Sequence, residues 1–108
     1  MSITVNIYYT GKNGSARAFA REMTESGAVR IVREEEGNLR YEYFFPADDP
    51  ETVLLIDSWR DKESLDRHHG SAVMENIKEL RDKYDLHMRV ERFVPAEEHP
   101  ADEEFIRK

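Results

Sequence analysis

Two stretches in which side chains alternate by two constrain this chain most. Leu39, Tyr41, Tyr43 and Phe45 fall on one face of a strand, and Val53, Leu55, Asp57 and Trp59 on one face of the next. His68 follows on a helix, in phase with Leu65, and is aimed back over the same surface. Aliphatic residues alone would make an ordinary core. A Tyr, a Trp, an Asp and a His each bring a polar atom inward that needs a partner. The alternation therefore predicts a pocket with aromatic walls, one acid and one histidine.

The rest of the chain frames that pair of strands. Ile3, Val5, Ile7 and Tyr9 alternate with Thr4, Asn6 and Tyr8, a first strand ended by the Gly11 to Gly14 turn. Ser15 is placed to cap a helix whose apolar stripe is Ala16, Phe19, Ala20 and Met23. Ala28 to Glu36 carries β-branched residues that also suit a strand, but a short helix stopped by Gly37 accounts better for its end. Glu34, Glu35 and Glu36 read as a solvated helix terminus. Pro46 to Pro50 forms a loop, and Thr52 to Trp59 the third strand. Asp61 caps a helix closed by Gly70, Ser71 caps another carrying Val73, Ile77, Leu80 and Tyr84, and Leu86, Met88 and Val90 alternate in a last strand before Pro95.

The order β, α, α, β, β, α, α, β is the split βαβ plan of an α+β, ferredoxin-like antiparallel sheet with helices on one face. Tyr8, Phe44, Leu54, Ile56 and Phe93 leave apolar groups on the other face, and a second copy of the chain is the simplest cover, so a homodimer packed sheet to sheet is expected. Residues 1–95 make one domain. The acidic tail, 96–108, with Phe105 and Ile106, is expected to be loosely ordered or docked on a partner subunit.

Charge excludes several function classes. The net charge is -7, from 16 basic and 23 acidic side chains, and there is no basic face for nucleic acid or an anionic membrane. No apolar run reaches membrane-spanning length, and the N-terminus lacks a charged-then-apolar signal pattern. With no cysteine, disulfide and thiol chemistry are absent, which suits a cytoplasmic protein. His68, His69, His87 and His99 show no ligand spacing, so no metal site is expected, and the Gly11 to Gly14 turn lacks a phosphate-loop pattern.

Gly37, Arg40-Tyr41, Asp57-Ser58-Trp59, and Leu65, His68 and Ser71 are spaced as a glycine, an Arg-Tyr pair, an acid two residues before a tryptophan, and Leu-x-x-His-x-x-Ser. In this pattern the chain resembles the antibiotic biosynthesis monooxygenase family, including its quinol monooxygenase-like members, over roughly residues 1–95. The resemblance implies a dimeric α+β barrel with a pocket in each subunit between sheet and helices. It also implies oxidation of a small aromatic, quinol or polyketide-like substrate by dioxygen with no cofactor, neither flavin, metal nor haem. Haem-degrading relatives use an asparagine on the first strand, a helix tryptophan and a later histidine. Asn6 matches the first, but His68 and Lys78 stand at the other two places, which argues against haem degradation. Asp57 stands where glutamate is commoner, with a shorter reach.

His68 is the candidate catalytic base, since a neutral imidazole can accept a proton near pH 7; His69 is turned about 100° away from it. Trp59, Tyr41, Tyr43, Asp57 and Asn6 are the candidate substrate-binding residues. By alternation Asn6 shares the opposite face with Thr4 and Tyr8, and the resemblance alone makes it a candidate. Two other functions suit the same scaffold: an isomerase of a small carbonyl compound, and a non-catalytic, stress-related ligand-binding dimer.

Overall fold

The alternating stretches become a four-stranded antiparallel sheet in a computed structural model that describes all 108 residues. In chain order the elements are β1 (Ile3–Thr10), α1 (Ser15–Glu25), α2 (Ala28–Glu34), β2 (Asn38–Phe44), β3 (Thr52–Trp59), α3 (Lys62–His69), α4 (Ala72–Lys83) and β4 (His87–Phe93). The sheet order is β2-β3-β1-β4, with β1 and β3 central, which is the ferredoxin-like α+β arrangement expected. No helix is long and apolar enough to cross a membrane.

Local signals explain most boundaries. Asp61 caps α3 by accepting from the Ser64 N–H at 2.8 Å and from its hydroxyl at 2.6 Å. Two other caps differ from expectation. Gly14, left-handed at φ 78°, precedes α1, and Ser15 instead accepts from the Lys12 N–H at 3.0 Å. Ser71 stands at the N-cap of α4, but its hydroxyl donates to the His68 carbonyl at 2.7 Å and ties α4 to the end of α3. Residues 28–34 are helical, but the helix ends two residues before Glu36, with Glu35 already in extended conformation, rather than at Gly37.

The register sorts side chains between two faces. Val53, Leu55, Asp57 and Trp59 of β3 all face the helices and are buried, beside Val5, Ile7 and Tyr9 of β1 and Tyr41 of β2. Phe19 and Met23 of α1, Leu65 of α3 and Ile77 of α4 close over them. On the open face Tyr8, Leu54 and Phe44 form one cross-strand row and Asn6, Ile56 and Glu42 the next. Arg89 covers the Tyr8 ring at 4.0 Å.

Leu39 and Phe45 depart from the expected wall. A bulge between Asn38 and Arg40 breaks the period of two, so Leu39 is 60% exposed, and Phe45 lies past the strand end at 53%. The tail is exposed throughout and contains a 3-10 turn, Pro100–Phe105, begun by the His99 ring accepting from the Ala101 N–H at 3.2 Å.

Candidate functional site

Trp59 ends β3 two residues after Asp57, so both side chains enter the same layer. The indole N–H donates to Asp57 Oδ1 at 2.7 Å. In the last turn of α3 the His68 imidazole lies flat on the indole, with ring centroids 4.8 Å apart and planes 26° from parallel. Its Nδ1 sits 2.7 Å from Glu35 Oε2, just past α2. Tyr41 meets the imidazole edge-on at 6.3 Å, and Tyr43 meets Tyr41 edge-on at 5.9 Å.

Gly37 makes the Glu35–His68 contact possible. It is left-handed at φ 86°, and an added Cβ would lie 2.0 Å from Ser64 Oγ and 2.5 Å from Ser64 Cβ. Only a residue without a side chain lets α3 approach closely enough for His68 to reach Glu35. The Gly37 carbonyl also accepts from the Arg60 N–H at 2.7 Å.

Burial dominates the electrostatics. It pushes the Asp57 carboxyl up to about 7; the Trp59 N–H and Arg81 oppose the rise and Glu35 adds to it. Asp57 is thus divided between acid and carboxylate near neutrality. Burial also raises the phenols of Tyr41 and Tyr43, which remain donors at physiological pH. His69 lies outside the layer, and partial burial followed by His68 holds its pKa below the ordinary histidine value. The Glu35 carboxylate holds the His68 ring through Nδ1, the orientation device of an acid–base histidine.

Tyr41, Asp57, Trp59 and His68 therefore come together, with Tyr43 beside them. Asn6 does not join. It sits on the open face between Ile56 and Glu91, opposite Val5 and Ile7, because successive side chains of β1 alternate; its Oδ1 is buried there without a partner. The expected aromatic pocket is filled: Trp59 is 0%, Tyr41 2% and His68 4% exposed, each packed on the next. The cleft that reaches His68 is polar, about 290 Å³, between Glu35, Glu36, Ser64, Arg67, His68 and Ser71. Glu35 was the residue that the acidic run concealed. Its signal was its spacing, since Glu35 follows the buried Ala28 and Val32 of α2 at i+7 from Ala28, at the cap where the chain leaves the helix. No group of three or more His, Asp or Glu is arranged to hold a metal ion.

A family model described as antibiotic biosynthesis monooxygenase matches residues 2–80. No curated protein matches the chain. Among solved structures, a Pseudomonas aeruginosa protein is similar with a TM-score of 0.76 at 23% identity, over 89% of this chain and 95% of its own. A Mycobacterium tuberculosis protein gives 0.76 at 20%, over 91% and 98%. SnoaB, a cofactor-independent oxygenase from Streptomyces nogalater, gives 0.74 at 14%, over 92% and 97%. At these identities the likeness is one of fold.

Proposed function

Because the chain belongs to the antibiotic biosynthesis monooxygenase family, we propose that it is a cofactor-independent monooxygenase that oxidises a small aromatic, quinol or polyketide-like compound with dioxygen. The observation that carries this reading is the 2.7 Å contact between Glu35 and His68 at the floor of a solvent-open cleft. It orients the imidazole so that Nε2 can take a proton from a phenolic or hydroquinone hydroxyl. Trp59 and Tyr41 act through the imidazole, fixing its plane. Arg67, on the wall of the same cleft, supplies positive charge beside the anion that forms.

The substrate is its own reductant. Loss of the proton makes an electron-rich anion that transfers electrons to dioxygen. One oxygen atom ends in a new carbonyl at a ring carbon, and the other leaves as water with the single hydrogen of that carbon and the proton taken from the hydroxyl. The protein's part is to remove the proton and stabilise the anion. The working unit in this reading is the domain over residues 1–95, as a homodimer packed through the open sheet face with its Tyr8, Leu54, Phe44 and Ile56.

Close packing around His68 favours a second reading, a ligand-binding dimer without turnover, since no space separates Trp59 from the imidazole. An oxygen electrode run with a panel of quinols and phenols distinguishes the two. Oxygen uptake matched to substrate loss supports the monooxygenase; turnover that persists under nitrogen points to an isomerase, and binding without turnover to the second reading.

A further inference from the structure

A second cleft, of about 380 Å³, opens between α1 and the end of β2, away from the His68 cleft. Three buried side-chain polar atoms lack a partner, and two of them, the Tyr43 hydroxyl and Arg17 Nε, belong to residues that line it. Buried polar groups are normally paired, so Arg17 Nε marks a donor waiting for an acceptor at this cleft, and the Tyr43 hydroxyl, within weak reach only of the Tyr41 phenol, is a second donor beside it. Arg21 lines it too, and neither arginine is in ion-pair contact with a carboxylate although acidic side chains outnumber basic ones by 23 to 16. The Arg17 guanidinium lies 4.5 Å from the centroid of the Phe45 ring, which is 53% exposed and forms the apolar wall.

We propose that this cleft binds a planar aromatic carboxylate. The carboxylate accepts from Arg17 Nε and the Tyr43 hydroxyl, while the ring packs beside Phe45. The volume suits a molecule of one or two rings. A guanidinium presents its donors as a planar fork that matches a carboxylate, which an ammonium cannot do. Burial keeps the Tyr43 phenol protonated, so it donates rather than repels. Glu25 also lines the cleft and sets a limit on charge: one carboxylate is accommodated between the arginines, and a second would face Glu25. The site does not depend on the monooxygenase reading, because binding here needs no dioxygen chemistry.

Calorimetry under nitrogen with 2-naphthoate, neutral 2-naphthylmethanol and non-aromatic cyclohexanecarboxylate tests it. The naphthoate should bind the wild type, and the other two at least about tenfold more weakly, the usual effect of losing a charge-assisted bond or an aromatic contact. Arg17→Gln should weaken naphthoate at least about tenfold, Arg17→Lys should not restore it, and Tyr43→Phe should weaken it about fivefold. Arg21 is exposed on α1, so Arg21→Gln keeps the fold and should weaken binding about threefold. No heat with naphthoate up to millimolar concentration overturns the proposal. So does equal binding of the neutral alcohol, or wild-type affinity in folded Arg17→Gln. Naphthoate binding without oxygen uptake from any quinol would sink the monooxygenase reading alone, and uptake without naphthoate binding would sink this site alone.

Discussion

Asp57→Asn should stabilise the protein increasingly as pH rises. Asp57 is 4% exposed, and its one hydrogen bond comes from the Trp59 indole at 2.7 Å. Burial is the largest cause of a carboxyl raised from 3.8 to about 7. Between those values the folded chain holds a proton that the unfolded chain has released, so the stability associated with the protonated acid is complete below about pH 4 and is lost as pH rises through about 7. At 1.36 kcal/mol per pH unit of proton uptake, the loss between pH 5 and pH 8 is about 2–3 kcal/mol. Asparagine keeps an oxygen for the indole N–H and does not titrate. The difference in unfolding free energy, variant minus wild type, should therefore grow by about 2–3 kcal/mol from pH 5 to pH 8. Trp59 is the single tryptophan, so urea denaturation followed by its fluorescence at several pH values reads the region directly. A difference that stays constant with pH, or that shrinks as pH rises, would refute the argument that Asp57 is held protonated by burial.

Gly37→Ala should cost about 2–4 kcal/mol, from left-handed strain together with the collision at Ser64, and adding Ser64→Gly should recover only the collision part; thermal denaturation of the four-member mutant cycle measures both. His68→Ala should fold and lower turnover about 10² to 10⁴-fold, whereas His69→Ala, outside the layer, should change it little; steady-state rates on a substrate found by oxygen uptake check this. The wild type should sediment as a dimer at micromolar concentration, and Ile56→Lys with Phe93→Lys should give monomer or insoluble protein; a wild type monomeric at every concentration would refute the open-face argument.

The fold was legible because its signals are short-range. A period of two along β1, β2 and β3 and a helical stripe in α1 and α4 sort side chains by face without reference to distant residues. Leu39 escaped this logic because a bulge is a property of two paired strands, and the pairing of Asn38 and Arg40 with β3 cannot be read from β2 alone. Asn6 shows the opposite case: its parity placed it on the open face, the structure keeps it there, and the resemblance that made it a site candidate had no geometric support.

By itself the sequence determined which residues turn toward the helices, the element order, and the charge that disfavours nucleic acid. It also determined that Asp57, Trp59 and His68 share one layer. These follow from local periodicity and composition, which survive any rearrangement of distant parts. Only the tertiary structure decided that this layer is packed rather than hollow, because alternation gives the direction of a side chain but not the volume its neighbours leave. It also selected Glu35 from three adjacent glutamates as the partner of His68, through an approach of α2 and α3 that the missing side chain of Gly37 permits. Finally it brought Arg17 and Tyr43, distant in sequence, to the same cleft without partners. Each of these is a distance between segments far apart along the chain, set by how whole elements pack, and no local pattern carries that information.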